Sequence, residues 1–350
     1  TGYNYRIVRV KGMLSMNHRE TILMTLKKNT GHWVSGESIS ETLNVSRTTV
    51  WKYIKALQSD GYAIESSSKK GYRLSGSPDL LSADEVIPGL NTLVFGRQHY
   101  YYHREIDSTN DEARRLASLG YPEGTVVVAE MQAAGKGRRG RTWFSPWGLG
   151  IYLSVILRPN IPLKEVARVS LVNAVAVAET LIDELGLAAR IKWPNDILVN
   201  NRKIAGILSE AITDMDAVEF IVTGIGININ NRREDFPADL RTPPTSVMAE
   251  CTNASFSRTR ILQSLLGKLE NNYYAMLSNE FEYCLERSRK LSMILGREVQ
   301  LDTINGTIKG TAIDINADGF LLVRDASGFV HTIMSGEISL LSPQPGNPYC

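Results

Sequence analysis

The sequence predicts an α+β protein of several domains, because three segments show different patterns. Residues 16–78 contain three short helical segments followed by two strands. Residues 82–291 alternate strand and helix patterns, as expected for a central mixed α/β sheet domain. Residues 294–342 contain short strands separated by turn residues, which predicts a small β domain. With 350 residues and 43% hydrophobic content, the chain is long and apolar enough to bury a core.

The charge distribution points to an anionic partner for the N-terminal segment. The net charge of the chain is +2, yet nine Lys and Arg face five Asp and Glu between Met16 and Ser75. The three cysteines, Cys251, Cys284 and Cys350, have no CxxC spacing, and the five histidines are scattered. We therefore expect neither a disulfide framework nor a zinc site.

We also expect a cytoplasmic protein with no membrane partner. The sequence has no apolar run near the ~18 residues that a membrane span requires. Its opening, TGYNYRIVRVKG, lacks the apolar region of a signal peptide.

The N-terminal segment, 16–78, has the pattern of a winged helix-turn-helix. Helices are predicted near His18–Lys28, from Ser35 or Gly36 to Asn44, and after a cap at Ser46. The third helix and a basic turn between the two strands present the residues expected to contact DNA, namely Arg47, Thr48, Thr49, Trp51, Lys52, Lys69 and Lys70. A small helical protein-interaction domain with a basic surface is the alternative.

A glycine-rich basic loop, QAAGKGRRGRTWFSPWG, runs from Gln132 to Gly148 between two predicted strands. Backbone N–H groups at its glycines and the guanidinium groups of its arginines are suited to phosphate oxygens. Crowded like charges repel, so we expect the loop to stay mobile until an anion neutralises it. The alternatives are a solvated basic loop and a nucleic-acid patch.

The sequence DSTN, from Asp107 to Asn110, lies where a predicted strand ends and a helix begins. Such a junction offers free N–H groups and small hydroxyls to a polar ligand. A plain helix cap is an equally good explanation of the same residues.

A predicted strand contains Lys203 among apolar residues. Alternation places Lys203, Ala205 and Ile207 on one face, and both faces are apolar. A buried ammonium requires an anion. A structural salt bridge with Asp196 and a ligand carboxylate are the two candidates. In the next strand, the glycines of TGIGIN leave room for a ligand or another backbone, and we do not interpret them as a dinucleotide motif.

Five motifs in this order, DSTN, QAAGKGRRGRTWFSP, KWPND, RKIAGIL and GIGININ, resemble the biotin protein ligases. Together with the N-terminal winged domain, they make the chain similar to the bifunctional kind that is also the biotin operon repressor. The resemblance covers residues 18–342. It implies that the central domain has the biotin/lipoate ligase fold.

The resemblance implies a role for each matching residue. Those expected to bind biotin are Ser108, Thr109, Asn110, Gln132, Lys136, Gly137, Arg138, Tyr152, Ser154, Lys203, Gly206, Gly224 and Gly226. Those expected to bind the adenylate are Arg138, Arg141, Trp143 and Asn228. Arg138, Lys192 and Lys203 are the catalytic candidates, because they can stabilise charge that develops on phosphate oxygens. Asp196 is expected near magnesium.

The implied activity is that of an ATP-dependent biotin-[acetyl-CoA-carboxylase] ligase. Such an enzyme forms biotinyl-5'-AMP from biotin and ATP, with Mg²⁺ as cofactor, and transfers biotin to a lysine of the biotin carboxyl carrier protein. The implied second role is repression of biotin synthesis genes by a homodimer that forms with biotinyl-AMP and binds operator DNA. The alternatives are a lipoate-type ligase and a ligand-binding transcription regulator without ligase activity.

The C-terminal segment, 294–342, is expected to form a small SH3-like β-barrel. It could stabilise the central domain, or it could contact ATP or the carrier protein. Two residues depart from a well-known family member, which has arginine at both positions: Lys136 in the loop and Leu341 in GEISLLS. Looser adenylate retention would follow from Lys136, since lysine lacks the bidentate fork of arginine.

Overall fold

The computed structural model describes residues 18–214, 217–251, 254–278, 280–303 and 306–341. The chain forms two compact units, of which the first ends at Asp79 and the second begins at Leu80. The predicted domain limits at residues 16 and 342 lie outside the described residues. The division into three domains therefore remains a prediction.

The first unit is a three-helix domain with a two-stranded hairpin, in agreement with the predicted winged helix-turn-helix. Its elements are α1 (His18–Lys28), α2 (Gly36–Leu43), α3 (Arg47–Ser59), β1 (Ala63–Ser67) and β2 (Gly71–Gly76). The hydroxyl groups of Ser35 and Ser46 cap α2 and α3 by accepting backbone N–H groups. Ile22, Ile54 and Leu57 are fully buried in its core.

The second unit is built on a seven-stranded sheet with helices on both faces. Its first elements are α4 (Ala83–Val86), β3 (Tyr100–Ile106), α5 (Thr109–Ser118), β4 (Val126–Gln132), β5 (Gly150–Leu157), α6 (Val166–Leu185), β6 (Arg190–Lys192), β7 (Asp196–Val199), β8 (Arg202–Asp214), β9 (Ala217–Asn228), α7 (Val247–Glu250), α8 (Arg258–Leu277) and α9 (Phe281–Leu291). The strand order is β3-β4-β5-β9-β8-β7-β6. β3 and β4 are parallel, and the other pairs are antiparallel.

Two hydrophobic clusters fix the sheet between its helices. The larger cluster joins α6 and α8 to one face of the sheet and includes Ala205, Ile207 and Ile225. The smaller cluster packs α5 on the other face, against Val127 and Val222. Within the described ranges, none of the helices has both the length and the apolar character that a membrane crossing needs.

The C-terminal segment forms an open five-stranded antiparallel sheet. Its strands are β10 (Glu298–Thr303), β11 (Gly306–Ile315), β12 (Leu321–Arg324), β13 (Val330–Ile333) and β14 (Glu337–Leu340), in the order β13-β12-β11-β10-β14. No hydrogen-bonded pairing joins β13 to β14 among the described residues, so the closed SH3-like barrel that we predicted is not found. The chain turns between them and β14 pairs instead with β10, so these two short strands end on opposite edges.

A buried ion pair connects α8 to the sheet. Arg258 Nη1 lies 2.7 Å from Glu130 Oε2, and the two side chains are 2% and 0% exposed. Arg258 also donates to the carbonyl oxygen of Gly150 at 3.1 Å, and the N–H of Leu81 donates to Glu130 at 2.8 Å. These contacts join the start of α8, strand β4, the first residue of β5 and the start of the second unit.

We predict that Arg258→Met lowers the free energy of unfolding by about 3–5 kcal/mol, because it leaves the Glu130 carboxylate buried without its charge partner. The measurement is urea unfolding followed by circular dichroism. Arg115→Met is the matched control, because Arg115 pairs with Glu112 at 2.7 Å on the exposed side of α5. The control should leave the unfolding midpoint nearly unchanged. Equal midpoints for both variants would contradict a structural role for the buried pair.

Candidate functional site

The basic loop folds back on itself between β4 and β5. The N–H of Gly137 donates to the Arg141 carbonyl at 2.7 Å, and the N–H of Trp143 donates to the Gly135 carbonyl at 2.8 Å. Arg139 adopts a left-handed conformation with φ 58°, which turns the chain at the tip of the loop, between Gly137 and Arg141. The loop therefore forms a tight hairpin that these two hydrogen bonds close.

Glycines leave one face of the sheet bare where β8 and β9 pair. A Cβ atom on Gly224 would lie 1.9 Å from Asn110 Oδ1, and one on Gly226 would lie 2.3 Å from Trp143 Nε1. A Cβ on Gly206 would lie 3.0 Å from the Trp143 ring. Because glycine has no Cβ, the side chain of α5 and that of the loop can approach the sheet backbone directly.

Lys203 lies on this glycine face, which corrects the alternation expected from the sequence. Ile197 of β7 pairs with Ala205, but its neighbour Leu198 pairs with Lys203, so β8 has one extra residue at this point. The bulge turns Lys203 away from the face of Ala205. Its Nζ atom lies 2.7 Å from Asp196 Oδ1 and 5.3 Å from the centroid of the Trp143 ring. Of the two anions considered as partners of the Lys203 ammonium, the Asp196 carboxylate is therefore present in the structure.

A network of polar side chains closes one end of the glycine face. The N–H of Thr109 donates to Gln132 Oε1 at 2.9 Å, which connects the start of α5 to the end of β4. Ser154 Oγ lies 2.7 Å from Asn110 Oδ1 and 2.9 Å from Thr109 Oγ1. Ser108 Oγ is buried and has no hydrogen-bond partner. A buried hydroxyl of this kind is able to hydrogen-bond a ligand.

The glycine face and the polar side chains at its end enclose a first cavity, here called the glycine cavity. Of the residues predicted to bind biotin, the structure brings together Ser108, Thr109, Asn110, Gln132, Lys136, Gly137, Arg138, Lys203, Gly206, Gly224 and Gly226. The other two do not line it. Ser154 lies beneath Thr109 and Asn110, and the hydroxyl of Tyr152 donates to the Pro146 carbonyl at 3.0 Å.

A second cavity, here called the arginine cavity, adjoins the first. The predicted adenylate, catalytic and metal residues all line it, namely Arg138, Arg141, Trp143, Lys192, Asp196, Lys203 and Asn228. Phe144 and Phe236 form an aromatic pair at its wall, with ring centroids 6.2 Å apart. The cavity therefore combines an apolar wall with several cations, a composition suited to a nucleotide.

The cations of the arginine cavity raise its affinity for anions. Burial lowers the pKa of Arg138, and the neighbouring Arg139 lowers it further. Burial likewise lowers the pKa of Lys192, and Lys203 adds to this effect. A group whose charged form is disfavoured in this way gains stability when an anion binds beside it.

Three cations of the basic loop form ion pairs with carboxylates. Lys136 Nζ lies 2.6 Å from Asp111 Oδ1. Glu337, at the start of β14, accepts hydrogen bonds from Arg139 at 3.3 Å and Arg141 at 2.7 Å, and from Arg241 as well. Burial favours the neutral form of Glu337, but its bonds to Arg141 and Arg241 outweigh this and lower its pKa.

The sequence analysis missed three residues of the site. Asn195 accepts a hydrogen bond from Arg138 Nη1 at 3.0 Å and donates to the Ile207 carbonyl at 3.0 Å. It belongs to the KWPND motif, so the motif itself was the available signal. Glu337 lies in GEISLLS, the segment in which Leu341 departs from the family pattern. Arg241 has no motif, and we find no sequence signal for it.

The first unit presents the predicted DNA-contacting residues on its surface. Arg47, Thr48 and Lys52 are exposed on α3, and the Trp51 side chain is 49% exposed. Thr49 is half-buried, and its N–H donates to the cap residue Ser46 at 3.1 Å. Lys69 and Lys70 are exposed in the turn between β1 and β2. Their role in DNA binding remains a prediction.

Three family models match the chain. The model of the biotin/lipoate A/B protein ligase family matches residues 102–228, an HTH domain matches residues 18–73, and the biotin protein ligase C terminal domain matches residues 294–341.

Curated relatives match nearly the whole length. The chain is 38% identical over 322 residues to the bifunctional ligase/repressor BirA of Bacillus subtilis (strain 168), a match that covers 92% of this chain and 98% of that protein. It is 31% identical over 315 residues to the protein of the same name from Escherichia coli (strain K12), with 90% of this chain and 95% of that protein covered.

A solved structure shares the fold. The biotin protein ligase from Aquifex aeolicus in complex with biotin and ATP is 30% identical, with a TM-score of 0.59, and the match covers 69% of this chain and 98% of that one. The sequence identity to these relatives, the three matched family models and the shared fold all indicate the same family. The chain therefore belongs to the biotin protein ligase family, in the group of bifunctional ligase/repressors that carry an N-terminal HTH domain.

Proposed function

We propose that the chain activates biotin with ATP to give biotinyl-5'-AMP and transfers the biotinyl group to a lysine of a biotin carboxyl carrier protein. The single observation that carries this proposal is that the glycine cavity and the arginine cavity share five residues, Gly137, Arg138, Trp143, Asn195 and Lys203. A ligand that fills both cavities therefore passes between Arg138 and Lys203. An acyl-adenylate has this form, with an anionic phosphate in the middle.

Biotin is assigned to the glycine cavity and the nucleotide to the arginine cavity. The bare backbone at Gly206, Gly224 and Gly226 leaves room for a bicyclic ring, and the Ser108 hydroxyl is available to its polar edge. This assignment requires the Trp143 indole to move, because it now lies over Gly226 and Gly206. In the arginine cavity, the displaced indole would be available to stack on the adenine.

In the first half-reaction a biotin carboxylate oxygen attacks the α-phosphorus of ATP, and pyrophosphate leaves with the electron pair of the broken P–O bond. Two anions must approach each other. Lys203 is placed to hold the carboxylate, and Arg138 and Lys192 are placed to stabilise charge that develops on the phosphate oxygens. No side-chain nucleophile is required.

The basic loop keeps the acyl-adenylate intermediate in the site. Its residues Gly137, Arg138 and Trp143 line both cavities, so the loop covers the mixed anhydride where the cavities join. A covered anhydride is protected from hydrolysis by water. Because the loop ends are anchored in β4 and β5, its tip can move without disturbing the sheet.

The magnesium prediction at Asp196 remains a prediction. Mg²⁺ would screen the phosphate charges of ATP, and it usually binds through substrate phosphates and one or two carboxylates. The described residues do not fit a preformed site: they contain no cluster of three His, Cys, Asp or Glu side chains arranged to hold a metal, and Asp196 is paired with Lys203. We therefore assign no step to the ion.

A lipoate-type ligase is the second candidate within the same fold, and a transcription regulator without ligase activity is the third. The experiment that separates them is ATP–pyrophosphate exchange by the purified protein, with biotin or lipoate as the acid. Exchange with biotin alone is the expected result. Exchange with lipoate alone would favour the second candidate, and no exchange with either acid would favour the third.

We predict that Lys203→Ala reduces biotin-dependent pyrophosphate exchange by about 100-fold or more, because the variant lacks the ammonium beside the reacting carboxylate. Exchange is measured at saturating ATP over a range of biotin concentrations. Lys268→Ala is the matched control, because Lys268 forms an equivalent 2.6 Å ion pair with Asp183 on the surface. The thermal midpoint of each variant reports whether it is folded. Full activity of a folded Lys203→Ala protein would remove Lys203 from the site.

We further propose that biotinyl-AMP promotes homodimerisation and operator binding, so that ligand, dimer and DNA are thermodynamically linked. The exposed cations of α3 and of the β1–β2 turn support DNA as the partner of the first unit. ATP, the carrier protein and operator DNA are all cytoplasmic in bacteria, so the same proposal places the protein in the cytoplasm.

We predict that the protein binds a duplex from the promoter of a biotin synthesis operon more tightly with biotin plus ATP than with biotin alone. Fluorescence anisotropy at several salt concentrations measures the affinity. Lys52→Ala should reduce the slope of log K against log salt by about two for the homodimer, because each protomer loses one phosphate contact. Lys28→Ala, which changes an exposed lysine on α1, is the control. Equal affinity under the two ligand conditions would refute the linkage.

A further inference from the structure

A third cavity lies behind the turn that joins β6 to β7. Serines from three separate elements line it, Ser170 of α6, Ser209 of β8 and Ser288 of α9, and we call it the serine cavity. Met334 and Ser335, which follow β13, also line it, and Met334 is 67% exposed. The cavity therefore extends from the solvent at the C-terminal sheet to the turn containing Pro194.

The three cavities meet at one hydrogen bond. Arg138 and Asn195 are the two residues, among those described, that line the glycine, arginine and serine cavities alike. Arg138 Nη1 donates to Asn195 Oδ1 at 3.0 Å. If the biotinyl group and the nucleotide occupy the first two cavities, the carbonyl that joins them lies beside this contact. The serine cavity lies on the side of the main hydrophobic cluster, to which Leu171, Ala174 and Ile191 belong, and approaches the reacting centre from behind this contact.

The lining of the serine cavity suits an uncharged amine. Arg138, at its inner end, is the single charged residue among the described residues that line it, and the walls are otherwise hydroxyl, amide and apolar groups. An ammonium ion would be desolvated there and repelled by the guanidinium, and both effects lower a lysine pKa. A neutral amine, which is the nucleophilic form, is favoured under the same conditions.

We propose that the serine cavity is the passage through which the acceptor lysine of the carrier protein reaches the acyl-adenylate. The proposal rests on the proposed function and names the path of its second substrate. The alkyl chain would lie against Ala174, Ile191 and Leu171, and the amine would arrive at the Arg138–Asn195 contact. The exposed Met334 lies at the outer end, where the carrier domain itself would contact the protein.

Transfer of the biotinyl group requires no reactant other than the lysine and the acyl-adenylate. The lysine ammonium first gives one proton to solvent water. The amine nitrogen then forms a bond to the biotinyl carbonyl carbon, and the bond from that carbon to the phosphate oxygen breaks, with its electron pair leaving on AMP. The nitrogen loses its second proton to solvent, which yields the amide. Arg138 stabilises the charge on the departing phosphate in this step as in the first.

The test uses variants that fill the passage but leave the first two cavities unchanged. Ser170→Phe places a ring in the serine cavity, and Met334→Trp enlarges a side chain that is already exposed. Ser118→Phe is the matched control, because Ser118 is an exposed serine on α5 that lines none of the three cavities. Each protein is assayed twice: for biotin-dependent ATP–pyrophosphate exchange, and for single-turnover transfer from the preformed adenylate to a purified biotin carboxyl carrier domain.

We expect unchanged exchange in all variants and a transfer rate reduced by about tenfold or more in Ser170→Phe and Met334→Trp, because the amine can no longer align with the carbonyl. Transfer at the unmodified rate in Ser170→Phe would overturn the proposal. If Ser170→Phe also loses exchange, Met334→Trp decides by the same criterion, and an equal loss of both reactions there would overturn it as well. Absence of exchange in the unmodified protein would instead refute the proposed function.

Discussion

The absence of side chains at three sheet positions is the constraint on which the site depends. Gly206, Gly224 and Gly226 lie next to one another across β8 and β9, on the face opposite the main hydrophobic cluster. A methyl group at Gly224 or Gly226 would overlap Asn110 or Trp143. The start of α5 and the basic loop can therefore both rest on the sheet backbone. The cavity between them has a floor of peptide groups, and polar and cationic side chains form its walls.

Charge neutralisation explains how so many cations can be concentrated beside that floor. Lys203, Lys136 and Arg141 each have a carboxylate partner within 3 Å, from Asp196, Asp111 and Glu337 respectively. These carboxylates stabilise the cations in the structure described here. A phosphate that entered the arginine cavity would compete with Glu337 for the same guanidinium groups. Binding would then exchange one anion for another, which limits the cost of dehydrating the arginines.

The order of elements was predictable because it depends on local signals. The serine cap of α3, the apolar stripe of α1 and the strand on each side of the basic loop were all readable from periodicity and capping residues. The open C-terminal sheet was not predicted, because turn signals define strands but do not determine whether the two edge strands, β13 and β14, pair to close a barrel. The choice of β10 as the partner of β14 is a long-range decision with no local signature.

Local sequence signals also predicted part of the site. Motifs identified the loop, the junction before α5 and Lys203, but alternation placed Lys203 on the wrong face, since a bulge depends on how β7 and β8 pair. Tyr152 and Ser154 were expected in the cavity wall, and hydrogen bonds to other residues hold them outside it. Arg241 and Glu337 come from distant segments, and only the folded chain brings them to the loop.

The C-terminal sheet shares its interior with the catalytic sheet. Val299, Leu301 and Val323 belong to the same hydrophobic cluster as α6 and β8, and Trp193 Nε1 donates to the Gly319 carbonyl at 3.1 Å. A segment bonded in this way does not behave as a detachable module. A chimaera that exchanged residues 294–341 between relatives would have to exchange the matching surface of α6 too, so the two parts of the protein must diversify together during evolution.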